Sequence, residues 1–281
     1  MSAPMQDAAG RFRSNPAAVA AALIVACIVV LSIAGPWFSP NSHDTLDWLH
    51  VAMRPGLPQA HWFGTDRLGR DLFVRTLVGT RVSLTVGLVA SAVSLLVGIA
   101  YGAVAGYFGG RIDHLMMRVI EIISGLPLIF FVIFITVIFG RNIYLLFLSI
   151  GAVAWLTMAR IVRGQTMSIR REEYIEAAVA CGASPARIIL RHVLPNLVGV
   201  VVVYATLSVP QIILFESFLS FLGLGIQEPS VSLGTLVADG AGELEAAPWM
   251  LLIPGAFLAL LMLCLNLCGD GLRDALDVKE G

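Results

Sequence analysis

Six stretches of this chain carry no Asp, Glu, Lys, Arg or His: residues 17–34, 82–108, 122–139, 143–159, 197–215 and 249–268. A hydrocarbon core about 30 Å thick takes about 20 helical residues to cross, and each stretch approaches or exceeds that length. None alternates polar with apolar residues, as the strands of a membrane barrel do. Each is therefore predicted as a transmembrane helix whose backbone hydrogen bonds are satisfied internally. Of 281 residues 58% are hydrophobic and 13% charged, too little polar surface for a soluble domain of this size. The expected fold class is an all-α integral membrane protein, with six transmembrane helices in one bundle. A formal net charge of -1 gives no electrostatic case for nucleic acid.

The first run is expected to remain as an anchor. Arg11 and Arg13 precede it, and Ser32, Ile33 and Ala34 loosely imitate a cleavage site, but the run is longer than a signal-peptide core of about 7 to 15 residues. Arg160, Arg163, Arg170, Arg171, Arg187 and Arg191 lie between the fourth and fifth runs, whereas the fifth and sixth are joined by a segment with acids and no Lys or Arg. The positive-inside rule then predicts that the Arg-rich loop is cytoplasmic and, with six spans, that both termini are too. The link after the first run carries Arg54, Arg67, Arg70, Arg75 and Arg81 yet is predicted outside. Arg67, Asp71 and Arg75 follow at i, i+4 spacing beside Leu68, Leu72 and Phe73, a pattern that predicts an amphipathic helix at the interface.

Two parts are expected: residues 1–81, an anchor helix with a long outer segment, and residues 82–281, five spans with mostly short connections. In the second run Ser94, Gly98, Gly102 and Gly106 recur every four residues and predict a close helix contact, inside this subunit or with a second one. Pro127, Pro210 and Pro254 interrupt the third, fifth and sixth runs and are expected to bend them, Pro210 thereby shaping a pathway. A mid-bilayer carboxylate costs about 2.5 to 3.5 kcal/mol. Glu216 follows the fifth run near its expected outer end, where it reads as a pathway or gate group or as a hydrated interfacial one. Cys264 and Cys268, four apart on the last run, are read as packing residues. Asp113 and His114 are read as solvated residues of a short turn, and His43, His50 and His61 lack metal-ligand spacing, so no metal site is predicted.

Residues 173–196 are polar amid this hydrophobic chain. Good helix formers end at Gly182, which can take left-handed geometry; Ser184 then reads as an N-cap and Pro185 as the first residue of a new helix. That helix is expected to stop at Pro195 after roughly 15 Å, too short to cross a membrane. Ile188, Ile189 and Val193 give it apolar surface, while Arg187 and Arg191 put like charges on one face and call for an outside partner.

Glu176, Ala177, Ala178, then Gly182, then Leu194 and Pro195 resemble the EAA loop of ABC importer permeases, whose pattern is E-A-A, three residues, G, nine residues, I, one residue, L-P. His192 stands where the pattern has Ile. HWFGTDRLGRDLFVRTLVGTRVSL at 61–84, ESFLSFLGLGIQEPSVSLG at 216–234, NPAAVAAALIV and GPWFSP are similar to the C-type permease subunits of dipeptide, oligopeptide and nickel importers. The resemblance covers nearly the whole chain. It implies a type I permease fold, an N-terminal anchor plus a five-helix core, in a bacterial inner membrane.

It also implies partners: a second homologous permease, two cytoplasmic ABC ATPases that use ATP and Mg²⁺, and an external solute-binding protein. Glu176, Ala177, Ala178, Gly182, Leu194 and Pro195 would then belong to the ATPase-coupling element, joined by Arg187 and Arg191 on grounds of exposure. The residues agree on the division of labour, since a P-loop needs a lysine in a Gly-rich turn and the one lysine is Lys279. No cofactor and no enzymatic activity are expected of the chain alone: the G-x-S-x-G and H-E-x-x-H signatures are absent, and no nucleophile and base converge within the runs. An ion-coupled secondary transporter should show paired acids or broken helices in two matching halves, and the odd first span leaves no such repeat. Between peptide and nickel, the expected substrate is a dipeptide or oligopeptide.

Overall fold

The computed structural model describes residues 3–56, 61–140 and 143–276. Lys279 lies outside them. After α1 (Ala3–Ser14), Asn15 accepts a hydrogen bond from the Ala18 amide and Pro16 supplies a first residue with no amide to satisfy, so α2 (Pro16–Ala34) starts there. After a 3₁₀ turn (Gly35–Phe38) the described residues are irregular until α3 (Leu72–Phe108). Next come α4 (Gly110–Ser124), α5 (Leu128–Phe139), α6 (Ile143–Ile169), α7 (Glu173–Ala180) and α8 (Pro185–Ile188). A π turn (Ile189–Val193) joins α8 to α9 (Leu194–Phe221), followed by α10 (Leu233–Gly242) and α11 (Trp249–Leu276). Among the described residues no strand forms; an isolated bridge pairs Thr65 with Asp71.

Among the described residues five helices are long and apolar enough to cross a membrane, and α4 with α5 makes a sixth crossing if that pair, bent by 82°, is one span. The break falls at Pro127, whose ring disfavours helical geometry at Leu126, and so the third run is not one straight helix. Pro210 and Pro254 instead sit inside continuous helices. Several helices outrun their predicted spans: α3 begins at Leu72 rather than 82, inside the first of the two expected parts, and α6 continues to Ile169. Arg160 and Arg163 therefore belong to α6 and not to a loop. At 1.5 Å per residue α3 is roughly 55 Å long, so it must tilt or project beyond the bilayer.

The small-residue stripe is the seam between α3 and α6. A Cβ on Gly98 would lie 2.6 Å from the Met158 Cβ, one on Gly102 2.4 Å from the Ala159 carbonyl oxygen, and one on Gly106 2.6 Å from the Arg163 carbonyl oxygen. The contact is thus internal to the subunit. Gly102→Val is expected to cost about 1 to 3 kcal/mol, because its neighbours there are two backbone atoms and the Val162 Cβ, none of which can rotate away. That is a drop in melting temperature of several degrees for the purified chain, whereas Gly164→Ala, an exposed helical position where a Cβ meets nothing within 4 Å, keeps or slightly raises it.

The segment before α3 departs from the expected interfacial helix. Asp71 is the N-cap of α3, accepting from the Val74 amide at 2.9 Å, so Arg67 and Asp71 lie outside the helix that holds Arg75. Gly69 (φ +76) folds the chain so tightly that a Cβ would stand 1.8 Å from the Asp47 carbonyl oxygen. The charges turn inward instead: Arg70 Nε donates to Asp66 Oδ2 at 2.6 Å, Arg70 Nη2 to Glu228 Oε1 at 2.8 Å, and Arg75, 1% exposed, faces Asp66 at 3.4 Å. The Arg70 guanidinium holds the Glu228 carboxyl below its usual range. This network ties the start of α3 to the link between α9 and α10.

Cys264 is buried, and the Cys268 thiol lies 3.9 Å from the Ala18 carbonyl oxygen of α2, the packing role expected of that pair.

Candidate functional site

At one end of the bundle, residues 173–196 form a helical hairpin. Glu173 and Glu176 in the first turn of α7 suit the positive end of its dipole. Gly182 (φ +77) then closes the helix: its amide donates to the Val179 carbonyl at 2.9 Å and the Ala183 amide to the Ala178 carbonyl at 3.1 Å, the paired bonds of a Schellman cap. The Ser184 hydroxyl accepts from the Arg187 amide at 3.4 Å, with Pro185 in the first turn, as the sequence predicted.

The far end of the short helix differs from expectation. Pro195 does not stop it; residues Pro185–Phe221 form one apolar helical run. The π turn accommodates the proline, with the Leu194 amide donating to the Ile189 carbonyl and the Asn196 side chain donating to the His192 carbonyl at 2.7 Å. The short helix is therefore the continuous root of a long one, so a push on it reaches α9 without an intervening loop.

Burial divides the hairpin into two sides. Ile175, Ile188, Val193 and Leu197 are buried against Ala103 of α3 and Met158 and Val162 of α6. Glu176, Ala177, Gly182, Arg187 and Arg191 are exposed, Ala178 is half-buried, and Leu194 and Pro195 are half-buried on the flank. Leu190 is 67% exposed between the two arginines, a residue that the sequence reading passed over in favour of Ile188, Ile189 and Val193. Its signal was available, since it lies between Arg187 and Arg191 on the face opposite Ile188.

Polar contacts anchor the hairpin. Asn196 Nδ2 donates to the Tyr174 hydroxyl at 3.2 Å, joining α7 to α9. Burial, with the Glu172 charge adding to it, pushes the Tyr174 phenol above its ordinary pKa. The Arg170 guanidinium sits 5.8 Å from the Tyr107 ring centroid at the end of α3. Nearby, Arg163 of α6 forms a bidentate ion pair with Asp113 of α4. Asp113 is thus a buried, paired residue of a helix, not the solvated turn residue expected, although His114 beside it is exposed.

Toward the other end, Glu216 is 0% exposed. Its Oε1 accepts from the Ser220 and Ser232 hydroxyls, each at 2.7 Å, and its Oε2 from Ser83 at 3.4 Å. Ser83 Oγ in turn accepts from the Leu233 amide at 3.1 Å, and Ser232 caps α10 in a capping box with Thr235. One carboxylate therefore pins α3, α9 and α10 together, away from solvent, which does not fit a hydrated interfacial position. Pro210 is buried six residues earlier, and Ser91 Oγ and Ser208 Oγ lie 2.7 Å apart beside it. Between α3, α6 and α9 opens a cavity of about 630 Å³ lined by Ser94, Thr157, Tyr204, Ser208, Gln211 and Phe215 among others. Its wall mixes polar and apolar groups.

The histidines of the segment before α3 are also rearranged by folding. His50 and His61, unrelated by spacing, come together with Asp47.

Comparison with known proteins adds a family. The model for the "Binding-protein-dependent transport system inner membrane component" matches residues 98–279, and that for the N-terminal transmembrane domain of oligopeptide transport permease C matches residues 3–55. The oligopeptide transport system permease protein of Haemophilus influenzae is 52% identical over 98% of this chain and 88% of its own length. That of Escherichia coli K12 is 52% identical over 98% of this chain and 91% of its own, and the dipeptide transport system permease protein of Bacillus subtilis 44% identical over 98% and 85%. Among solved structures, an inward-facing methionine ABC transporter superposes with a TM-score of 0.58 at 19% identity, over 72% of this chain and 96% of the other.

Proposed function

This chain belongs to the family of binding-protein-dependent transport system inner membrane components, and from that premise we propose that it is the permease subunit of an ATP-driven importer of dipeptides or oligopeptides. Its relatives carry those substrates in their names, and their similarity extends over almost the entire chain. In this reading a second, homologous permease completes the pathway, two ABC ATPases supply ATP hydrolysis with Mg²⁺, and an external binding protein delivers the solute. The hairpin and both termini face the cytoplasm, in keeping with the arginines clustered around residues 160–191.

The observation that carries the reading is the two-sided hairpin. Its apolar underside is locked onto α3 and α6, and its outer side presents Glu176, Arg187, Leu190 and Arg191 to a partner. When the ATPases close on ATP, movement of that outer side passes directly into α9 and turns the bundle against the second permease. Such a contact drives transport only if it differs in free energy between inward-facing and outward-facing states.

The test is reconstitution of the whole transporter in proteoliposomes with labelled dipeptides to pentapeptides and, in parallel, radioactive nickel. Saturable peptide uptake that requires ATP is expected. Uptake of nickel alone would move the substrate to the metal importers of the same family, and ATP-independent uptake driven by an ion gradient would sink the reading.

A further inference from the structure

We propose that Asp47, His50 and His61 form a binding site for a divalent transition-metal ion of the zinc class, which clamps the Asp47–His50 turn and His61 against the start of α3. One donor atom of each residue lies within 4.8 Å of the others. Around a tetrahedral ion with bonds of about 2.1 Å, donors stand roughly 3.4 Å apart, a distance that small side-chain rotations supply.

The surroundings are built for ligation. His61 is buried, and its Nδ1 stands 2.7 Å from Oδ2 of Asp71. A carboxylate only accepts, so Nδ1 carries the proton and Nε2 keeps its lone pair for a metal. Asp71 is held in turn by the Val74 amide at 2.9 Å and by Asn41 Nδ2 at 3.4 Å. A carboxylate behind the imidazole is the support that orients metal-ligating histidines. On the other side Asp47 accepts from the Leu49 amide at 3.0 Å and from His50 Nδ1 at 2.7 Å, which pre-forms the turn; the ion takes the place of that Nδ1 proton, which is released to solvent on binding, and the Thr65 hydroxyl donates to the His50 carbonyl. Side chains of His50 and Asp47 are 33% and 37% exposed, so an ion can enter and water can complete its shell. Two imidazoles and one carboxylate select Zn²⁺, Co²⁺ or Ni²⁺ over Ca²⁺ and Mg²⁺, which prefer all-oxygen shells.

The full-length chain without an affinity tag, in detergent and stripped by a chelator, is titrated with Co²⁺ and then with competing Zn²⁺. Visible absorption of bound Co²⁺ and zinc per chain by elemental mass spectrometry are the readouts. One equivalent is expected, weakened at least tenfold in His50→Ala and in Asp47→Asn and unchanged in His43→Ala. The substitutions are confined to half-exposed positions, and unchanged melting of the metal-free variants separates lost ligation from lost folding. Absence of stoichiometric metal on the wild-type chain overturns the proposal whatever the variants do, and so does wild-type affinity in both variants.

Discussion

Gly182→Val is expected to reduce peptide uptake by the assembled transporter at least tenfold while ATP hydrolysis continues, and Gly182→Asn to retain most uptake. Gly182 has φ +77, and a Cβ built there meets nothing within 4 Å. The penalty is consequently confined to backbone: roughly 1 to 2 kcal/mol for an ordinary residue in the left-handed region, more for a β-branched one, least for Asn. Valine relieves that strain by opening the Schellman cap, which turns Glu176 and Val179 away from Arg187 and Leu190. The outer side of the hairpin then no longer matches a partner surface, although its buried underside is intact. Glu176→Lys and Leu190→Glu act on the same surface without touching the backbone and are expected to uncouple in the same direction. The measurement is peptide transported per ATP hydrolysed in proteoliposomes; wild-type coupling in Gly182→Val and Glu176→Lys together would remove the hairpin from the mechanism.

Much of this hairpin was legible in the sequence because its determinants are local. Gly182, Ser184 and Pro185 set caps whose bonds span three to five positions, so position along the chain specifies geometry. Its far boundary was misjudged for a reason equally physical: Pro195 lacks an amide, but a π turn rearranges the carbonyls before it, and helix continuity survives. The membrane helices were legible from charge-free runs, though their ends were not. Charged residues extend helices wherever they find partners, as Arg163 does with Asp113 and Arg75 opposite Asp66.

Long-range polar constellations left little trace in the sequence. The Asp66–Arg70–Glu228 chain joins residues 158 positions apart, and spacing along helices carries no information on it. Asp47, His50 and His61 converge because Gly69 brings the loop back against Asp47. Glu216 reads in the sequence as a carboxylate beside a membrane run, yet the hydroxyls around it come from α3, from α9 and from the N-cap of α10. Of them only Ser220, one turn further along α9, is related to Glu216 by local spacing, whereas Ser83 and Ser232 come from distant parts of the chain.

Those hydroxyls make Glu216 the side chain whose removal is expected to destabilise the chain most. Glu216→Ala strips the acceptor from Ser220 and Ser232, leaves Ser83 with one fewer partner, and opens a void among buried residues. Unsatisfied buried groups cost about 1 to 3 kcal/mol and the cavity adds to that, so a total of about 3 to 5 kcal/mol is expected. Glu216→Gln separates geometry from charge. Its amide oxygen can still accept from Ser220 and Ser232, and its amide nitrogen can donate to Ser83 Oγ, so each contact of the cage has a counterpart once the Ser83 hydroxyl turns its own proton to the carbonyl a helical turn back. If the carboxylate serves only to pin α3, α9 and α10, the glutamine variant melts within about 1 kcal/mol of wild type and transports peptide normally, while the alanine variant loses both properties. If Glu216 also acts on the solute as it passes, the glutamine variant melts like wild type but fails in uptake. Melting of the purified chain and peptide uptake by the reconstituted complex, measured on the same two variants, therefore distinguish a hinge pin from a gate.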